Sequence, residues 1–362
     1  MEEETKEPAM ILLDFSAPGI RDQVKDLCSS LPASYPHLEG LHFCKEWLEG
    51  NETFVFSTSG STGKEKEQVV TKGQIVASVT ATASFFGLQT GDAVFICLPT
   101  KYTGGKMMLA RALHVGMKAY LVLPRQDPFD MFPKGKLMAL VSFIPSQMGC
   151  LLQREDASSI LSSLSHVLLG GAAVSPELRE KINTFSSPIV YETFGMTETL
   201  SHVALRKLSF PAHDLFEALS GIQLGVDDRN CLQIKGAVTE YTWLSTNDVV
   251  DLKDSTHFRW MGRIDHVINS GGVKIQPEKV EELIRPLLRE NGFFGEFMVM
   301  GIPDEVLGSK LILCIEDEME DKEKIVHLLK QRVPLYHAPR QVMVLDSLPR
   351  TASGKLKRGL DI

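Results

Sequence analysis

The segment at residues 57–66, STSGSTGKEK, carries the residue types that bind phosphate. Small hydroxyl residues and glycines let backbone N–H and side-chain O–H groups converge on phosphate oxygens, and Lys64 and Lys66 add positive charge. The spacing is not that of a Walker A loop, because only two residues separate Gly60 from the Gly-Lys pair. Taken alone, the segment is equally compatible with a flexible Ser/Gly linker.

Two later segments combine residues that suit a nucleotide. Residues 191–199, YETFGMTET, offer an aromatic ring for a base, a glycine for close approach, and Thr and Glu side chains for a phosphate and its Mg²⁺. Residues 245–248, STND, end in a carboxylate that can accept both ribose hydroxyls. The alternatives are a strand followed by a helix start for the first segment and an Asn-Asp turn for the second.

Two segments near the end of the chain complete the set. Residues 262–275, GRIDHVINSGGVKI, contain a Gly-Gly pair that can equally be a hairpin turn between two strands. Residues 349–358, PRTASGKLKR, place Lys355 in a basic stretch that can equally be a solvated chain end.

The elements that position these segments follow from hydrophobic periodicity. From residue 54 to about residue 192, short β-rich runs alternate with helical patterns, as where Ile75, Val79 and Ala83 recur every four residues. Such alternation predicts parallel sheets covered by helices on both faces.

We therefore predict an α/β fold in two domains. Residues 1–263 form a large N-terminal domain of parallel, helix-covered sheets plus a small β-structure. Residues 264–362 form a small α+β C-terminal domain, joined to the first by a hinge at Asp265, where the residue pattern changes.

Composition limits the classes of partner. The net charge of −8 excludes binding of nucleic acid polymers by bulk attraction. Six scattered cysteines form no CxxC pair, and no apolar run has the length of a membrane span. We predict a cytoplasmic protein with a small-molecule partner, and leave its oligomeric state open.

In their order and spacing, the five segments resemble the acyl-adenylating (AMP-forming) enzyme superfamily of acyl-CoA synthetases, firefly luciferase and peptide synthetase adenylation domains. They resemble, in turn, its phosphate loop, its adenine and magnesium motif, its ribose motif, its hinge motif and its catalytic-lysine motif. The resemblance runs from about residue 50 to the end of the chain. It implies ATP, Mg²⁺ and coenzyme A as cofactors and an acyl-adenylate as the intermediate.

The resemblance also implies residue roles. Lys355 is catalytic, Glu198 holds Mg²⁺, and Gly271 and Gly272 line the path of the pantetheine arm of coenzyme A. The ATP-binding residues that it implies are Thr58, Ser59, Gly60, Ser61, Thr62, Gly63, Lys66, Gly171, Ala172, Ala173, Glu192, Thr193, Phe194, Gly195, Met196, Thr197, Asp248 and Arg263.

Three features depart from the family pattern. Glu65 and Glu67 replace a Pro and a Gly of the phosphate loop, and we expect their carboxylates to point away from ATP or to pair with Lys64. Tyr102 takes the place of a His before the acyl-site glycines. The chain before the phosphate loop is short, so we expect the first subdomain to be reduced.

The run TETLSH at residues 197–202 is similar to that of o-succinylbenzoate–CoA ligases of menaquinone synthesis. That acid carries a second carboxylate, which calls for a cation or hydroxyl groups in the pocket. The acyl-pocket candidates are Tyr102, Gly104, Gly105, Lys106, Arg111, Ser201 and His202. For Lys106 and Arg111 the alternative is an exposed charge on a helix.

Three functional interpretations remain open at this stage. The first is an AMP-forming acid–CoA ligase, with o-succinylbenzoate as the preferred acid. The second is an adenylating enzyme for another aryl or acyl acid, or one that loads a carrier-protein thiol. The third is a non-catalytic nucleotide-binding relative, suggested by the two glutamates of the phosphate loop.

Overall fold

The computed structural model describes residues 8–58, 66–316, 322–350 and 358. The chain divides into two compact units. The first unit comprises Met1–Leu224, Ile234–Leu244 and Asp254–His257, and the second comprises Gly225–Gln233, Ser245–Lys253 and Phe258–Ile362. The domain boundary between residues 263 and 264 stays a prediction.

The helices are α1 (Ile20–Ser30), α2 (Leu38–Glu49), α3 (Lys72–Phe86), α4 (Thr103–Val115), α5 (Pro145–Leu151), α6 (Ala157–Leu161), α7 (Pro176–Ile182), α8 (Pro277–Glu290) and α9 (Lys322–Arg332). The strands up to residue 218 are β1 (Met10–Asp14), β2 (Thr53–Thr58), β3 (Lys66–Thr71), β4 (Ala93–Ile96), β5 (Lys118–Val122), β6 (Met138–Phe143), β7 (Leu164–Leu169), β8 (Ile189–Gly195), β9 (His202–Lys207) and β10 (Phe216–Ala218). The later strands are β11 (Gln223–Val226), β12 (Cys231–Lys235), β13 (Leu244–Leu252), β14 (His257–Arg263), β15 (Ile268–Ser270), β16 (Val273–Ile275), β17 (Phe297–Asp304), β18 (Gly308–Ile315) and β19 (Gln341–Val344).

A largely parallel sheet organises the first unit. Its strands lie in the order β1-β5-β4-β6-β7-β8-β9-β10, and the pairs from β5 to β8 are parallel. Alternate residues of the central strands enter different hydrophobic cores: Val94 and Ile96 pack with α1–α4, whereas Phe95 packs with α5–α7. Both faces are therefore covered by helices, as the strand–helix alternation predicts.

Local sequence signals set the helices that carry site residues. Helix α3 begins with a capping box, in which the Gln74 N–H donates to the Thr71 hydroxyl at 3.2 Å and the Thr71 N–H donates to the Gln74 amide oxygen at 2.9 Å. Helix α4 ends at Gly116, whose φ of 80° lies in the left-handed region that terminates helices.

One strand departs from the expected parallel arrangement. β2, which precedes the phosphate-loop motif, pairs antiparallel with β3. The seven residues between them are too few for the crossover that parallel neighbours require, so the chain returns as a hairpin. In this register Glu67 is opposite Ser57 and shares the exposed face of the hairpin with Val69.

The second unit contains a smaller α+β core. β17 pairs antiparallel with β18, β18 pairs parallel with β19, and α8 and α9 bury apolar side chains against them. Pro277 and Glu278 open α8, and a proline at the first helical position loses no helical hydrogen bond. The predicted fold class is confirmed. No helix in the described ranges is long and apolar enough to cross a membrane.

Candidate active site

The carboxyl ends of β7 and β8 bring two of the predicted segments side by side. A Cβ added at Gly170, just beyond β7, would lie 2.6 Å from the Thr193 hydroxyl of β8. That hydroxyl donates to the Leu169 carbonyl at 3.1 Å. The predicted adenine-side residues 171–173 begin one position later, at the edge where open α/β sheets bind ligands.

The last residue of β8 cannot carry a side chain. A Cβ at Gly195 would lie 2.3 Å from the Ser201 carbonyl oxygen, so the two backbones meet closely only with glycine. The chain then makes one 3₁₀ turn, held by the Met196 N–H donating to the Thr199 hydroxyl at 3.1 Å. This turn presents Glu198 to solvent, and Glu198 forms no ion pair with the described residues.

Other side chains of β8 have protein partners. The Glu192 carboxylate is buried and pairs with Arg206 at 2.5 Å and with Arg179 at 3.3 Å. The Phe194 ring packs edge-on against Phe216, with centroids 5.7 Å apart. A role in ATP binding stays a prediction for both residues, and Glu192 already has a structural role in these ion pairs.

A buried cation lies between α4 and β9. Arg111 is 2% exposed, and its guanidinium donates to the Ser201 hydroxyl at 2.8 Å and, more weakly, to Thr82 at 3.5 Å. The Arg111 Nε has no hydrogen-bond partner in the described chain, and no carboxylate of the described chain pairs with the guanidinium. Burial lowers the pKa of Arg111 to about 10, so the side chain remains charged at neutral pH. Arg111 and Ser201, both predicted for the acyl pocket, are thus in contact.

His202 completes this cluster as a neutral ring. Burial, and then the charge of Arg111, hold its pKa well below the usual value. The Thr82 hydroxyl donates to the Ser78 carbonyl at 3.1 Å, so it accepts from His202 Nε2 at 3.0 Å. His202 Nδ1 is then an acceptor, and it lies 3.4 Å from the Ser201 hydroxyl. Among the described residues, the Ser201 proton therefore has only this long hydrogen bond.

The remaining acyl-pocket candidates lie at the start of α4. The buried Lys106 ammonium donates to the Val55 carbonyl at 3.1 Å. A Cβ at Gly105 would lie 2.5 Å from the Pro99 carbonyl oxygen, whereas one at Gly104 would meet its nearest atom at 3.5 Å. Gly105 thus has a packing role. Tyr102 is 37% exposed, and its backbone pairs with that of Ser57 next to the phosphate-loop motif.

The predicted ribose-binding carboxylate lies on β13. Asp248 is 7% exposed, accepts a 2.8 Å hydrogen bond from the Trp260 indole, and lies 3.7 Å from the Arg263 guanidinium. Burial raises its pKa, and the Trp260 bond and the Arg263 charge oppose that rise. The antiparallel register places Asp248 directly opposite Arg263, so the structure brings these two predicted residues together.

The predicted hinge residue is tied to the same arginine. Arg263 donates to both carboxylate oxygens of Asp265, at 2.9 and 2.7 Å, and its carbonyl accepts from Gln276 at 2.8 Å. Gly262 is required here, because it has a φ of 124° and a Cβ would clash with the Gln276 side chain. A fixed backbone thus precedes Asp265, and its hinge role stays a prediction.

The Gly-Gly pair forms the turn between β15 and β16. Gly271 and Gly272 have φ of 59° and 80°, the two left-handed positions of a type I′ hairpin. The Gly271 N–H donates to the Leu307 carbonyl at 2.9 Å, and the Tyr336 ring lies 3.6 Å from where its Cβ would be. The hairpin interpretation is therefore correct, and the pantetheine role stays a prediction.

Several predicted residues lie outside the described side chains. Thr58 and Lys66 are described by backbone alone, at the end of β2 and the start of β3. The others outside are Ser59, Gly60, Ser61, Thr62, Gly63, Lys64, Glu65 and Lys355. Thr197 is partly buried in the 3₁₀ turn.

Sequence reasoning missed two groups that contact the candidates. Thr82 was not predicted because its helix has no local feature that distinguishes a buried hydroxyl from an exposed one. Trp260 was not predicted as a partner of Asp248. A signal did exist for it: an indole on the strand that follows a predicted site carboxylate is a candidate hydrogen-bond donor.

Comparison with known families agrees with this geometry. Residues 7–222 match the family described as AMP-binding enzyme, and residues 288–355 match the AMP-binding enzyme C-terminal domain. A 2-succinylbenzoate–CoA ligase of Bacillus cereus is 29% identical over an alignment of 344 residues that covers 86% of this chain and 69% of that protein. A ligase of the same name from Bacillus cytotoxicus is 29% identical over an alignment of 336 residues that covers 84% of this chain and 68% of that protein.

Solved structures show the same relationship. An acyl-CoA synthetase (AMP-forming)/AMP-acid ligase II-like protein from Dyadobacter fermentans is 34% identical, with a TM-score of 0.64, and the match covers 96% of this chain and 97% of that one. The o-succinylbenzoate coenzyme A synthetase of Bacillus subtilis, in complex with ATP and magnesium, shares the fold at 23% identity and a TM-score of 0.67, over 84% of this chain and 68% of that one. The chain therefore belongs to the AMP-binding enzyme family and is an AMP-forming acid–CoA ligase.

Proposed function

We propose that this ligase activates an aromatic acid bearing a second carboxylate, with o-succinylbenzoate as the preferred substrate. A carboxylate is a poor electrophile because its leaving group would be oxide. Its attack on the α-phosphate of ATP expels pyrophosphate and makes AMP the leaving group. The thiolate of coenzyme A then attacks the acyl carbonyl and releases AMP, which gives the thioester.

The edge of the parallel sheet fits a nucleotide and its Mg²⁺. Glu198 is the exposed carboxylate of the turn after β8, and no group of three or more His, Cys, Asp or Glu in the described part of the chain is arranged to hold a metal. One protein carboxylate plus substrate phosphates is the usual ligand set of Mg²⁺ in nucleotide enzymes. When bound, the ion would neutralise charge on the phosphates.

Asp248 is suited to accept both ribose hydroxyls. Its Oδ1 is held by the Trp260 indole at 2.8 Å, and Arg263 lies on the side of Oδ2 at 3.7 Å. These contacts fix the carboxylate plane before ATP arrives, which lowers the entropy cost of binding. For Lys355 we keep the proposed role at the α-phosphate, where one cation stabilises the charge that develops during adenylation.

The observation that supports the second carboxylate is the buried Arg111. A buried charge without a partner is costly, and Arg111 has no carboxylate partner in the described chain. Ser201, which accepts its 2.8 Å bond, is partly exposed and lies in the TETLSH run. We infer that the Ser201 hydroxyl donates to the substrate carboxylate, and that Arg111 supplies the compensating charge behind it.

His202 prepares Ser201 for this task. Because its Nε2–H is committed to Thr82, only its Nδ1 can accept the Ser201 proton, over a long 3.4 Å. A carboxylate is a stronger acceptor than this ring nitrogen, since hydrogen bonds to ionised groups are about twice as strong as neutral ones. The serine hydroxyl can therefore turn to the substrate without losing a strong bond.

The test is a substrate panel with two readouts. Pyrophosphate release and CoA-ester formation are measured with o-succinylbenzoate, benzoate, acetate and a medium-chain fatty acid. The proposal predicts the highest kcat/KM for o-succinylbenzoate in both readouts. Equal or better turnover of the monocarboxylic acids would refute the substrate assignment. Pyrophosphate release without CoA-ester formation would instead indicate another acceptor thiol.

A further inference from the structure

A buried histidine at the start of α2 has no part in the reaction described so far. His37 is fully buried, and both of its ring nitrogens have partners. Its Nε2 lies 2.7 Å from the Val122 carbonyl oxygen, and its Nδ1 lies 3.3 Å from the Thr100 hydroxyl. Val122 ends β5, and Thr100 lies in the loop between β4 and α4, at residues 97–102. One imidazole ring therefore joins α2, β5 and the β4–α4 loop.

The direction of both hydrogen bonds follows from the neutral state of the ring. Burial lowers the pKa of His37, so the imidazole carries a single N–H at neutral pH. A carbonyl oxygen can only accept, which places that hydrogen on Nε2. Nδ1 is then an acceptor, and the Thr100 hydroxyl donates to it. His37 thus determines the direction in which the Thr100 hydroxyl points.

Two glycines bring helices against the same loop. A Cβ at Gly40 of α2 would clash with the Thr100 side chain, and a Cβ at Gly105 of α4 would lie 2.5 Å from the Pro99 carbonyl oxygen. Both helices therefore approach the loop more closely than a residue with a side chain allows. Tyr102, two residues after Thr100, is the N-cap of α4. The packing of α2 and α4 thus confines the segment that leads into α4.

The β4–α4 loop lies where parallel sheets bind ligands. The chain runs from β4 to β5 on one side, and from β5 to β6 on the other side of β4. Ligands of open α/β sheets bind outside the carboxyl ends of the strands at such a switch point. The acyl-pocket candidates Tyr102, Gly104 and Gly105 follow the loop directly. Tyr102 also pairs by its backbone with Ser57 of β2.

We propose that His37 is a positioning residue for the acid substrate, which acts through Thr100 to hold the β4–α4 loop beside the acyl pocket. This inference rests on the proposed function, because the loop affects the acid only if the residues that follow it line the acyl pocket. Through this contact α2 supports the acid side of the candidate site.

The two hydrogen bonds of His37 have different consequences. The bond to Val122 is short and ties α2 to the end of a sheet strand, as a stabilising bond does. The bond to Thr100 is longer, and it is the one that reaches the loop at the switch point. A positioning role therefore depends on Nδ1 and a purely stabilising role on Nε2, so substitutions can separate them.

Two pairs of variants make this separation. His37→Asn places an amide oxygen near the position of Nδ1 and keeps an acceptor for Thr100. His37→Gln places an amide nitrogen near the position of Nε2 and keeps a donor to Val122. We expect the KM for o-succinylbenzoate to rise roughly 3- to 10-fold in His37→Gln and to stay within about two-fold of wild type in His37→Asn.

The partner residue should show the same contrast. Thr100→Val keeps the shape of the side chain and removes the hydroxyl, so the KM for the acid should rise roughly 3- to 10-fold. Thr100→Ser keeps the hydroxyl and should stay within about two-fold of wild type. The KM for ATP should change less than about two-fold in all four variants, because the lost contact lies on the acid side.

His42→Asn is the matched control, because His42 is an exposed histidine of the same helix. It should match wild type in every assay. Calorimetric titration of o-succinylbenzoate in the presence of a non-hydrolysable ATP analogue gives a readout that needs no turnover. The Kd should rise in Thr100→Val and not in Thr100→Ser. If His37→Gln fails to fold, the two Thr100 variants decide the question.

Three results would overturn the positioning role. The first is a wild-type KM for the acid in Thr100→Val. The second is an equal rise in the KM for ATP and for the acid. The third is a larger loss in His37→Asn than in His37→Gln, because the bond to Val122 would then carry the effect. Failure of the proposed function is distinguishable, since the wild-type protein itself would then show no preference for o-succinylbenzoate over the monocarboxylic acids.

Discussion

Replacing Arg111 with methionine should separate substrate recognition from stability. The side chain is buried beside Ser201 without a carboxylate partner in the described residues, so its charge is a cost to the free enzyme. Methionine keeps most of the volume and removes the charge. If the charge serves the second carboxylate of the substrate, the variant should fold normally and lose preference for dicarboxylic acids.

The size of the effect follows from the pKa of Arg111. Burial lowers that pKa from the usual arginine value to about 10, a shift equivalent to a desolvation cost of about 3 kcal/mol. Hydrogen bonds from the charged guanidinium return about 1.5–3 kcal/mol. The free energy of unfolding of Arg111→Met should therefore lie within about 1.5 kcal/mol of wild type, whereas removing one partner of a buried ion pair costs about 3–5 kcal/mol.

The pH dependence has a definite sign. Below pH 10 the folded and unfolded states both carry the proton on Arg111, so the full cost is present throughout that range. The cost is relieved only as the pH rises above about 10, because the folded protein then loses the proton before the unfolded chain does. The stability difference between Arg111→Met and wild type should therefore be constant between about pH 6 and 9.

The assay compares CoA-ester formation from o-succinylbenzoate and from benzoate, alongside chemical denaturation. Loss of a charge-assisted contact worth about 2–4 kcal/mol predicts that kcat/KM for o-succinylbenzoate falls roughly 30- to 1,000-fold. The kcat/KM for benzoate should change less than about three-fold. Arg125→Met, which alters an exposed arginine of the same unit, is the control and should change the kcat/KM of neither acid.

Two outcomes would refute this reasoning. An equal loss with both acids would mean that Arg111 supports the active site generally and does not select the second carboxylate. A drop in the free energy of unfolding of about 3 kcal/mol or more would mean that the cation has a partner in the free protein. Either result would leave the ligase assignment intact and remove the argument for a dicarboxylic substrate.

Three further predictions test other parts of the site. Gly105→Ala should destabilise the protein by about 1–3 kcal/mol, because its Cβ would lie 2.5 Å from a backbone carbonyl oxygen, whereas Gly104→Ala should be tolerated. Thermal unfolding of the two variants tests this prediction, and equal melting temperatures would contradict it. Lys355→Ala should slow pyrophosphate release roughly 100- to 1,000-fold and still convert supplied acyl-adenylate to the CoA ester. Asp265→Pro, which fixes φ, should show near-normal pyrophosphate release and poor formation of the CoA ester. Equal damage to both half-reactions by Lys355→Ala would argue against alternation of the C-terminal domain. Glu67→Gln should leave the KM for ATP within about two-fold of wild type, because Glu67 lies on the exposed face of the β2–β3 hairpin; a large fall would show that its charge opposes ATP.

The sequence by itself determined the family and the order of the elements. Runs such as Ala93–Ile96 and the four-residue recurrence from Ile75 report local periodicity, which depends only on which face of a strand or helix is buried. Phosphate, ribose and lysine motifs are also local, since each needs a few adjacent residues of fixed type. For these features, neighbours in the chain are neighbours in space.

Tertiary structure alone decided which groups the buried cations contact. Lys106 and Arg111 were equivalent candidates in the sequence, and the packing of α4 placed Lys106 against the Val55 carbonyl and Arg111 against the Ser201 hydroxyl, with the Arg111 Nε left without a partner in the described residues. The contact from Arg111 to Ser201 joins residues 90 positions apart, and that from Arg358 to Glu281 joins residues 77 positions apart. Hydrophobic periodicity cannot predict contacts between residues so far apart in the chain, because the partner of a buried charge is determined by strand order and by helix packing on the completed sheet.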